Sequence, residues 1–401
     1  MEHPRIVIGP PVRGHDLWDR TTEVAQIWKA LNTGSVLLSA PRRFGKTSIM
    51  LALVDRPKEG WHAHFLDVEW VSGPEDFVAE ITATLIARYG SKELLRKVTK
   101  IAGRALDRIK EVEVIKVKLA LRESLQDEWQ EKGKALIKLL LGIEQKIILI
   151  VDELPLLVLN IANREGPEHA QEFLFWLRGL RHIPELQDKV RWIFGGSIGM
   201  EKVLQRVGAG TKAINDLCVL PIREFSNEEA AGFVRTLLEQ ELGVNATTPQ
   251  LVDHLLRVIG VPIPYFLQIL IRESLNEMER LGREDLSEEI IQKAYQDGVL
   301  ASYNRTYFKH YYERIRDYYD PELAKAANVL LSHIAQAGSL TREELWNIYM
   351  HETQREGTKD DFSYLLSDLE NDFYITNDSA GGRYRFATKI LQDWWLRHHV
   401  Y

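Results

Sequence analysis

Five short apolar runs punctuate the first half of the chain, and amphipathic segments with helical spacing lie between them. The runs cover residues 35–40, 62–68, 146–151, 190–196 and 217–222. They are mostly apolar and rich in β-branched residues, as strands buried on both faces require. Alternation of such strands with helices predicts an α/β unit with a parallel sheet.

The pattern becomes helical from about Glu224. Residues 227–242 and 248–259 carry apolar residues at helical spacing, and a polar capping residue opens each segment. A segment with Gly260, Pro262 and Pro264 separates them from a further helix. This part predicts a small helical domain.

The last part of the chain predicts a winged helix-turn-helix. After an aromatic stretch at 303–319, Asp320 and Pro321 mark a break. Three helices then precede a hairpin over residues 373–387 with a Gly-containing turn. The predicted domains are therefore an α/β core over 1–223 with an insertion at about 91–135, a helical lid over 224–302, a linker helix over 303–320 and a winged-helix domain over 321–401.

Composition excludes several classes of protein. The 401 residues include 51 Lys and Arg against 58 Asp and Glu, a formal charge of -7, so the chain lacks the basic excess of a protein that coats nucleic acid. Its one cysteine, Cys218, rules out a disulfide framework and is expected in the core. No apolar stretch reaches the length of a membrane span, and the first residues lack a secretory pattern. We expect a cytoplasmic protein with no membrane partner.

The segment APRRFGKT, residues 40–47, indicates a phosphate-binding loop. It follows the first predicted strand and opens a helix, as the pattern G-x-x-x-x-G-K-[ST] does. In that pattern backbone N–H groups surround the phosphates, Lys46 reaches the β and γ phosphates, and the hydroxyl of Thr47 ligates magnesium. Gly45 matches the second glycine, whereas Ala40 replaces the first. The alternative is a chance match in which Lys46 is an ordinary solvated residue.

A second motif, KIILIVDELP, ends a buried strand with Asp152 and Glu153. Ligands of open α/β sheets bind at the carboxyl ends of the strands, where these two carboxylates are predicted to lie. Asp152 is the candidate magnesium ligand, and Glu153 is the candidate base that deprotonates an attacking water. The alternative interpretation is a pair of carboxylates that cap the next helix.

Together these motifs resemble those of AAA+ P-loop ATPases, and specifically the archaeal-type ATPases also found in bacteria, which are relatives of STAND ATPases and of origin-recognition initiators. The resemblance covers nearly the whole chain through VRGHDLWDR, PRRFGKTS, IVDELP, FLFWLRGLR, VRWIFGGSIGME, GVPIPYF and RYRFATKILQDWW. It implies an α/β core with a parallel sheet, a helical lid and a C-terminal winged-helix domain. It also implies ATP and Mg²⁺ as cofactors, hydrolysis of ATP to ADP and phosphate, and assembly into a homo-oligomer.

The resemblance assigns further site residues. Ser197, at the end of the fourth strand, matches the sensor position, although a helix-capping serine is the alternative. A nucleotide-binding role extends to the loop and to the entry segment: Pro41, Arg42, Arg43, Phe44, Gly45, Lys46, Thr47 and Ser48, with Val12, Arg13 and Gly14. Near that entry segment, Trp18 is expected to hold the adenine or else to pack in the core.

Two arginines match the position of the finger that completes a neighbouring subunit's site. Arg178 and Arg181 precede the fourth strand, and solvated charges at a helix C-terminus are the alternative interpretation. In the lid, Pro262 of the Gly-x-Pro segment matches the nucleotide contact of STAND proteins, and Pro264 with Tyr265 aligns comparably. Arg257 and Arg272 are the candidate lid sensors.

Charge is concentrated in residues 92–122. The segment contains ten basic and four acidic residues, which gives a local charge of +6. This segment is the candidate DNA-binding surface, with a solvated helix face as the alternative. Within it EVEVIKVKL alternates like an exposed hairpin strand.

The predicted recognition helix of the winged domain is acidic, with Asp360, Asp361, Asp368, Glu370 and Asp372 beside Lys359. That composition favours a protein partner over DNA for this domain. Its aromatic residues Tyr384, Phe386, Trp394 and Trp395 are expected in the core.

The leading hypothesis is an Mg-dependent AAA+ ATPase, an ATP-driven switch that controls its own assembly or a partner. One alternative is a nucleotide-dependent adaptor for DNA or protein with little turnover. Another is the regulatory part of a defence system whose effector is a separate protein. The lack of an N-K-x-D-like motif and the resemblance both favour adenine over guanine.

Overall fold

The computed structural model describes residues 3–102, 114–126, 128–196, 199–354, 357–378 and 382–400. It divides into two compact units. The sheet unit comprises Arg20–Arg42 and Lys46–Ile222, and the C-terminal unit comprises Met1–Asp19, Arg43–Gly45 and Arg223–Tyr401.

A five-stranded parallel sheet forms the centre of the sheet unit. Its strands are β1 (Val36–Ser39), β2 (Trp61–Asp67), β3 (Lys146–Asp152), β4 (Val190–Gly196) and β5 (Cys218–Pro221). Their order is β2-β3-β4-β1-β5, and every neighbouring pair is parallel. All five predicted strands are confirmed, and their carboxyl ends share one edge of the sheet.

Helices connect these strands, as parallel pairing requires. They are α1 (Thr21–Leu31), α2 (Lys46–Asp55), α3 (Pro74–Tyr89), α4 (Lys92–Ala102), α5 (Val114–Leu125), α6 (Trp129–Lys138), α7 (Leu154–Glu165), α8 (Pro167–Arg181), α9 (Pro184–Gln187) and α10 (Met200–Arg206). The interior strand β3, which lies between β2 and β4, is buried from Ile147 to Asp152, and this burial explains its uninterrupted apolar sequence.

The insertion between β2 and β3 is helical, and the predicted hairpin strand over EVEVIKVKL is wrong for its described part. Residues from Val114 onward belong to α5, whereas 111–113 lie outside the described residues. Val117, Leu121 and Leu125 are buried at a spacing of four, so the helical period outweighs the alternation. They pack in a cluster with residues of α3, α4 and α6, including Val78.

Cys218 is exposed, so its predicted place in the core is wrong. It begins β5, an edge strand in which Val219 and Pro221 are also exposed. An edge strand has a neighbour on one side only, and therefore its side chains are covered less completely.

Helices predominate in the C-terminal unit. They are α11 (Asn227–Leu242), α12 (Pro249–Ile259), α13 (Pro264–Arg280), α14 (Glu288–Lys293), α15 (Thr306–Tyr318), α16 (Pro321–Ala337), α17 (Arg342–Glu352), α18 (Lys359–Asn371) and α19 (Lys389–His399). Side chains of Ser226, Thr248, Thr341 and Thr358 cap α11, α12, α17 and α18, as the polar residues ahead of these segments indicate.

A small antiparallel sheet completes the end of the chain. Its strands are β6 (Leu340–Thr341), β7 (Ile375–Asp378) and β8 (Arg383–Phe386), in the order β6-β8-β7. The predicted core positions Tyr384, Phe386, Trp394 and Trp395 are all buried. The order of three helices and a hairpin is as expected, while the winged-helix identity and the four domain boundaries stay predictions.

Among the described residues, no single helix has both the length and the apolar character needed to cross a membrane. The bent pair of α12 and α13, with an angle of 119° between its members, meets the requirement by length and composition only.

Gly196 sets the distance between β4 and α7. A Cβ at this position would lie 2.3 Å from Cδ and 2.5 Å from Cγ of Pro155, whose ring cannot rotate away. We expect Gly196→Ala to lower the free energy of unfolding by about 1–3 kcal/mol through overpacking. Urea denaturation checks this. Gly179→Ala is the control, because Gly179 is exposed on α8 with open space at its Cβ, and it should be neutral or stabilising.

Candidate nucleotide-binding site

The site begins where β2 and β3 end. Asp67 and Asp152 are the last residues of these strands and are partners in the parallel register. The carboxyl end of a parallel sheet is where such folds bind ligands. The sheet thus presents two carboxylates side by side at this edge.

Asp152 joins the two predicted motifs. The hydroxyl of Thr47 donates to Asp152 Oδ2 at 2.6 Å, and Lys46 Nζ lies 3.7 Å from Asp152 Oδ1. Both residues belong to the first turn of α2, which follows β1 directly. The structure therefore brings together the lysine, hydroxyl and carboxylate that were predicted from separate parts of the sequence.

Burial determines the electrostatics of this cluster. Asp152 is 4% exposed and Lys46 is 7% exposed. Burial raises the pKa of Asp152 above its ordinary value, although the charge of Lys46 and the hydrogen bond from Thr47 oppose the shift. A further cation beside Asp152 would stabilise its ionised form.

Glu153 adopts the left-handed conformation, with φ 63° and ψ 33°. Its backbone N–H donates to Asp152 Oδ1 at 3.1 Å. It occupies the N-cap position of α7, but its side chain makes no capping hydrogen bond. The capping alternative is thus not observed for Glu153, and its strained backbone is of the kind that clusters at functional sites.

Sequence reasoning missed Asp67 and Glu69, which lie at the same edge. Burial raises the pKa of Glu69, and the charges of Glu153 and Asp67 raise it further, whereas Arg42 lowers it. The signal was present, because LDVE repeats the pattern of an apolar strand that ends in carboxylates. Arg42 therefore belongs to this charged cluster.

The absence of a side chain at Gly195 leaves space for the Lys46 side chain. A Cβ on Gly195 would lie 3.1 Å from Lys46 Cδ and 2.3 Å from Cε of Met50. The glycines that end β4 thus serve close packing, a signal that the sequence analysis did not use. Ser48 is buried within α2. Ser197 lies outside the described residues, and its sensor role stays a prediction.

The residues at this edge fit a magnesium ion. Mg²⁺ in phosphate-transfer sites takes one or two carboxylates, with the remaining ligands from phosphates and water. Asp152 supplies a buried carboxylate that already accepts from Thr47, so carboxylate and hydroxyl oxygens are adjacent. No group of three or more His, Cys, Asp or Glu ligands occurs in the described part of the chain, so an all-protein metal cage is not found there.

The two finger candidates differ sharply. Arg181 is buried and donates to both carboxylate oxygens of Asp216, from Nε at 2.7 Å and from Nη2 at 2.9 Å. Burial alone would raise the pKa of Asp216, but the hydrogen bonds and charge of Arg181 lower it. Arg178 is one-third exposed and lies 3.9 Å from Asp216, with no hydrogen-bond partner at Nε among the described residues. Arg181 is thus held by two hydrogen bonds to Asp216, whereas Arg178 has a weaker contact with the same carboxylate.

The crest of the loop, Arg43–Gly45, belongs to the C-terminal unit. Arg43 has φ 74° and Gly45 has φ 89°, whereas Phe44 between them is not in the positive region. Turns of this kind can direct successive N–H groups into a nest, a concavity that binds anions, and residues 43–45 are the candidate nest of this chain. Pro41 and Arg42, which precede the crest, are half-buried.

The predicted adenine segment packs within the C-terminal unit. Gly14 has φ 60° and opens a 3-10 turn, in which Asp16 N–H donates to the carbonyl of Arg13. Val12 is half-buried, and Trp18 donates from Nε1 to the carbonyl of Glu229 and contacts Phe233. The structure places Trp18 in packing, which was the second of its two interpretations.

The lid residues also have defined contacts inside this unit. The carbonyl of Pro262 accepts from Phe225 N–H at 3.1 Å. The ring of Tyr265 lies under the Arg43 guanidinium, 4.3 Å from its centroid. Arg272 hydrogen-bonds Tyr307, and Arg257 lies 4.0 Å from Glu288. Sequence reasoning paired Pro264 with Tyr265 but did not anticipate the contact with Arg43.

No family model and no curated protein matches this sequence. Two solved structures are similar over almost the whole chain. The Walker-type ATPase PABY2304 of Pyrococcus abyssi matches with a TM-score of 0.59 at 16% identity, over 98% of this chain and 99% of that protein. The ORC2 protein of Aeropyrum pernix, solved as ADPNP-ADP complexes, matches with a TM-score of 0.57 at 13% identity, over 95% of this chain and 91% of that protein.

These similarities concern the fold, since the identities are low. They extend beyond the sheet to nearly the full length of both proteins. The chain therefore shares its α/β fold with these two proteins.

Proposed function

We propose that the chain is an Mg-dependent AAA+ ATPase that hydrolyses ATP to ADP and phosphate and uses this cycle as a switch for assembly or for a partner. The observation that carries the proposal is the contact of Lys46 and Thr47 with the buried Asp152 carboxylate. A nucleotide-dependent role is also supported by the fold of the two similar structures, one of which is called an ATPase and the other of which was solved with ADPNP and ADP.

Each residue of the cluster has a role in this reaction. Lys46 binds the β and γ phosphates, and Thr47 with Asp152 holds Mg²⁺, which neutralises charge on the phosphate oxygens when bound. Glu153 orients the attacking water and accepts its proton. Backbone N–H groups of Arg43, Phe44 and Gly45 bind phosphate oxygens.

A neighbouring copy supplies an arginine finger in this proposal, so the active form is a homo-oligomer. Arg178 is the better candidate because Arg181 is held by Asp216. Val12, Arg13 and Gly14 with Pro262 are proposed to contact the nucleoside, and Ser197 the γ phosphate. The proposed setting is the cytoplasm.

The end of the chain, 321–401, is proposed to contact a protein partner. Two of the acidic residues that argue against DNA have structural roles, since Asp361 caps α18 and Asp372 pairs with buried Arg314. Two cations in this part of the chain are engaged too: Arg383 of β8 donates to Ser339, and Lys389, the first residue of α19, pairs with Asp393.

An adaptor that binds DNA with little turnover is the second candidate, favoured by α4. Lys92, Arg96 and Lys100 are exposed at a spacing of four, and no ion pair of theirs occurs among the described residues. From Lys92 to Lys100 the helix rises about 12 Å, which spans about three phosphates of one DNA strand.

Lys46→Ala tests the assignment of the nucleotide-binding site, and Glu153→Gln tests the assignment of the base. We expect Lys46→Ala to abolish MgATP binding, and Glu153→Gln to keep binding while turnover falls roughly 10²- to 10⁴-fold. Equilibrium binding and steady-state phosphate release measure the two effects. Glu165→Gln, at the other end of α7, is the matched control and should keep wild-type turnover; a Glu153→Gln protein with unchanged turnover would contradict the role of the base.

The finger assignment is tested by complementation. We expect Arg178→Ala to lower turnover about 10³-fold at unchanged ATP affinity and unchanged melting temperature. Arg181→Ala should lower the melting temperature, because it removes both hydrogen bonds from Arg181 to the Asp216 carboxylate. Mixing the Arg178→Ala and Glu153→Gln proteins should restore part of the activity. At some interfaces of the mixture, Glu153 comes from the Arg178→Ala copy and Arg178 comes from the Glu153→Gln copy, so both residues are present. A mixture no more active than its components argues against a finger in trans.

DNA binding is tested by salt dependence. We expect wild-type affinity for duplex DNA to fall steeply with salt, and the triple Gln variant of Lys92, Arg96 and Lys100 to reduce the slope of log K against log salt by up to about 3. Fluorescence anisotropy measures this slope. Lys97→Gln, which removes a cation already paired with Glu93, should change it less than Arg96→Gln does. No salt-sensitive binding by the wild type would remove the DNA role.

A further inference from the structure

The Phe44 side chain at the crest of the phosphate-binding loop has an aromatic partner near the end of the chain. Phe44 is 1% exposed, and its ring meets that of Phe373 with centroids 5.0 Å apart and planes at 84°. Both residues belong to the C-terminal unit. An edge-to-face pair of this kind fixes the relative position of its two rings.

The backbone of Phe373 has an unfavourable conformation. It follows the last turn of α18 with φ 63°, in the left-handed region. Its N–H donates to the carbonyl of Glu370, and the N–H of Tyr374 donates to that of Leu369, which is the Schellman ending of a helix. Glycine is usual at this position, and a bulky residue with positive φ is a genuine outlier. An aromatic residue in this strained position points to a use for its ring.

The residues on both sides of Phe373 are fixed. Asp372 pairs with Arg314 at 3.4 Å, and both side chains are buried. The hydroxyl of Tyr374 donates to the carbonyl of Tyr311 at 2.7 Å. Because α15 holds its two neighbours, Phe373 is a rigid support for the ring that it contacts.

Phe44, the other member of this contact, lies within the candidate nest at residues 43–45. Arg43, directly before Phe44, is held by the Tyr265 ring at 4.3 Å and by the carbonyl of Gly9 at 3.3 Å. The positive φ values of Arg43 and Gly45 orient N–H groups on either side of Phe44. The place of the Phe44 ring therefore affects the directions of these donors.

We propose that Phe373 is a positioning residue for the phosphate-binding loop: through Phe44 it holds the nest in the shape that accepts the phosphates of a nucleoside triphosphate. The inference rests on the proposed function, since it assumes that this loop binds phosphate. Preorganisation of this kind acts on affinity. The chemical step stays with Lys46, Asp152 and Glu153, so Phe373 should affect KM more than kcat.

Phe373→Gly separates this role from a structural one. Glycine removes the ring and also relieves the left-handed backbone, so the lost contact and the relieved strain offset each other in stability. We expect the melting temperature to stay within about 3 °C of the wild type. We also expect Kd for a fluorescent ATP analogue with Mg²⁺, and KM for ATP, to rise about 10-fold while kcat changes less than about twofold.

Gln354→Gly is the matched control. Gln354 also has a positive φ, of 52°, and is exposed, so glycine relieves the same strain there. It should leave Kd and KM at the wild-type values. Phe44→Ala should reproduce the loss of affinity, and the double variant Phe44→Ala/Phe373→Gly should bind no more weakly than the weaker single variant, because both remove one contact.

The outcomes distinguish the two proposals. If Lys46→Ala leaves binding intact, the proposed function itself fails. If Lys46→Ala abolishes binding and Phe373→Gly binds like the wild type, the positioning role is overturned while the proposed function stands. Losses of affinity that add fully in the double variant, or a fall in melting temperature with wild-type KM, also overturn the positioning role.

Discussion

A carboxylate placed almost out of contact with water is the constraint on which the sheet unit depends. Ionised Asp152 is costly in that position unless cations and donors face it. Lys46 and Thr47 supply them, and both come from the first turn of α2. This electrostatic requirement links two segments more than 100 residues apart in the chain. The surrounding strands are apolar because they are buried, and the same burial strengthens each of these polar contacts.

Backbone strain is concentrated near the same chemistry. Five described residues other than glycine have a positive φ, and three of them are Arg43, Glu153 and Phe373. Such a conformation costs about 1–2 kcal/mol per residue, which the surrounding packing must offset. Arg43 and Glu153 lie in the two motifs, and Phe373 contacts the ring next to Arg43. The fold thus accepts local strain where the directions of donors and carboxylates matter, as functional sites commonly do.

The strands, the loop and the acidic pair could be predicted because each depends on local sequence. Apolar runs fixed the five strands, and a helix that opens with Lys46 placed the loop. What could not be predicted depends on contacts between distant residues. Arg178 and Arg181 are equivalent in sequence, and they are distinguished by Asp216, which accepts two hydrogen bonds from Arg181. The Phe44–Phe373 contact and the pairing of Asp67 with Asp152 depend on tertiary structure and register.

In the insertion, the alternation of residues 111–119 predicted a strand, and the structure has a helix from Val114 onward. A spacing of four residues, as between Val117, Leu121 and Leu125, is compatible with the period of a strand and with that of a helix. Tertiary packing of these three side chains selects the helix.

The same dependence on tertiary contacts alters the meaning of the charge count in residues 92–122. A local charge of +6 counts every cation equally, but Lys118 pairs with Glu80 and Arg122 with Asp76, acids that lie outside the segment. Lys97 is likewise paired with Glu93. An ion-paired cation must lose its partner before it contacts a phosphate, so it contributes less to binding. Among the described cations of this segment, those that are exposed and form no ion pair are Lys92, Arg96 and Lys100 of α4, so the sequence charge counts three paired cations as if they were free.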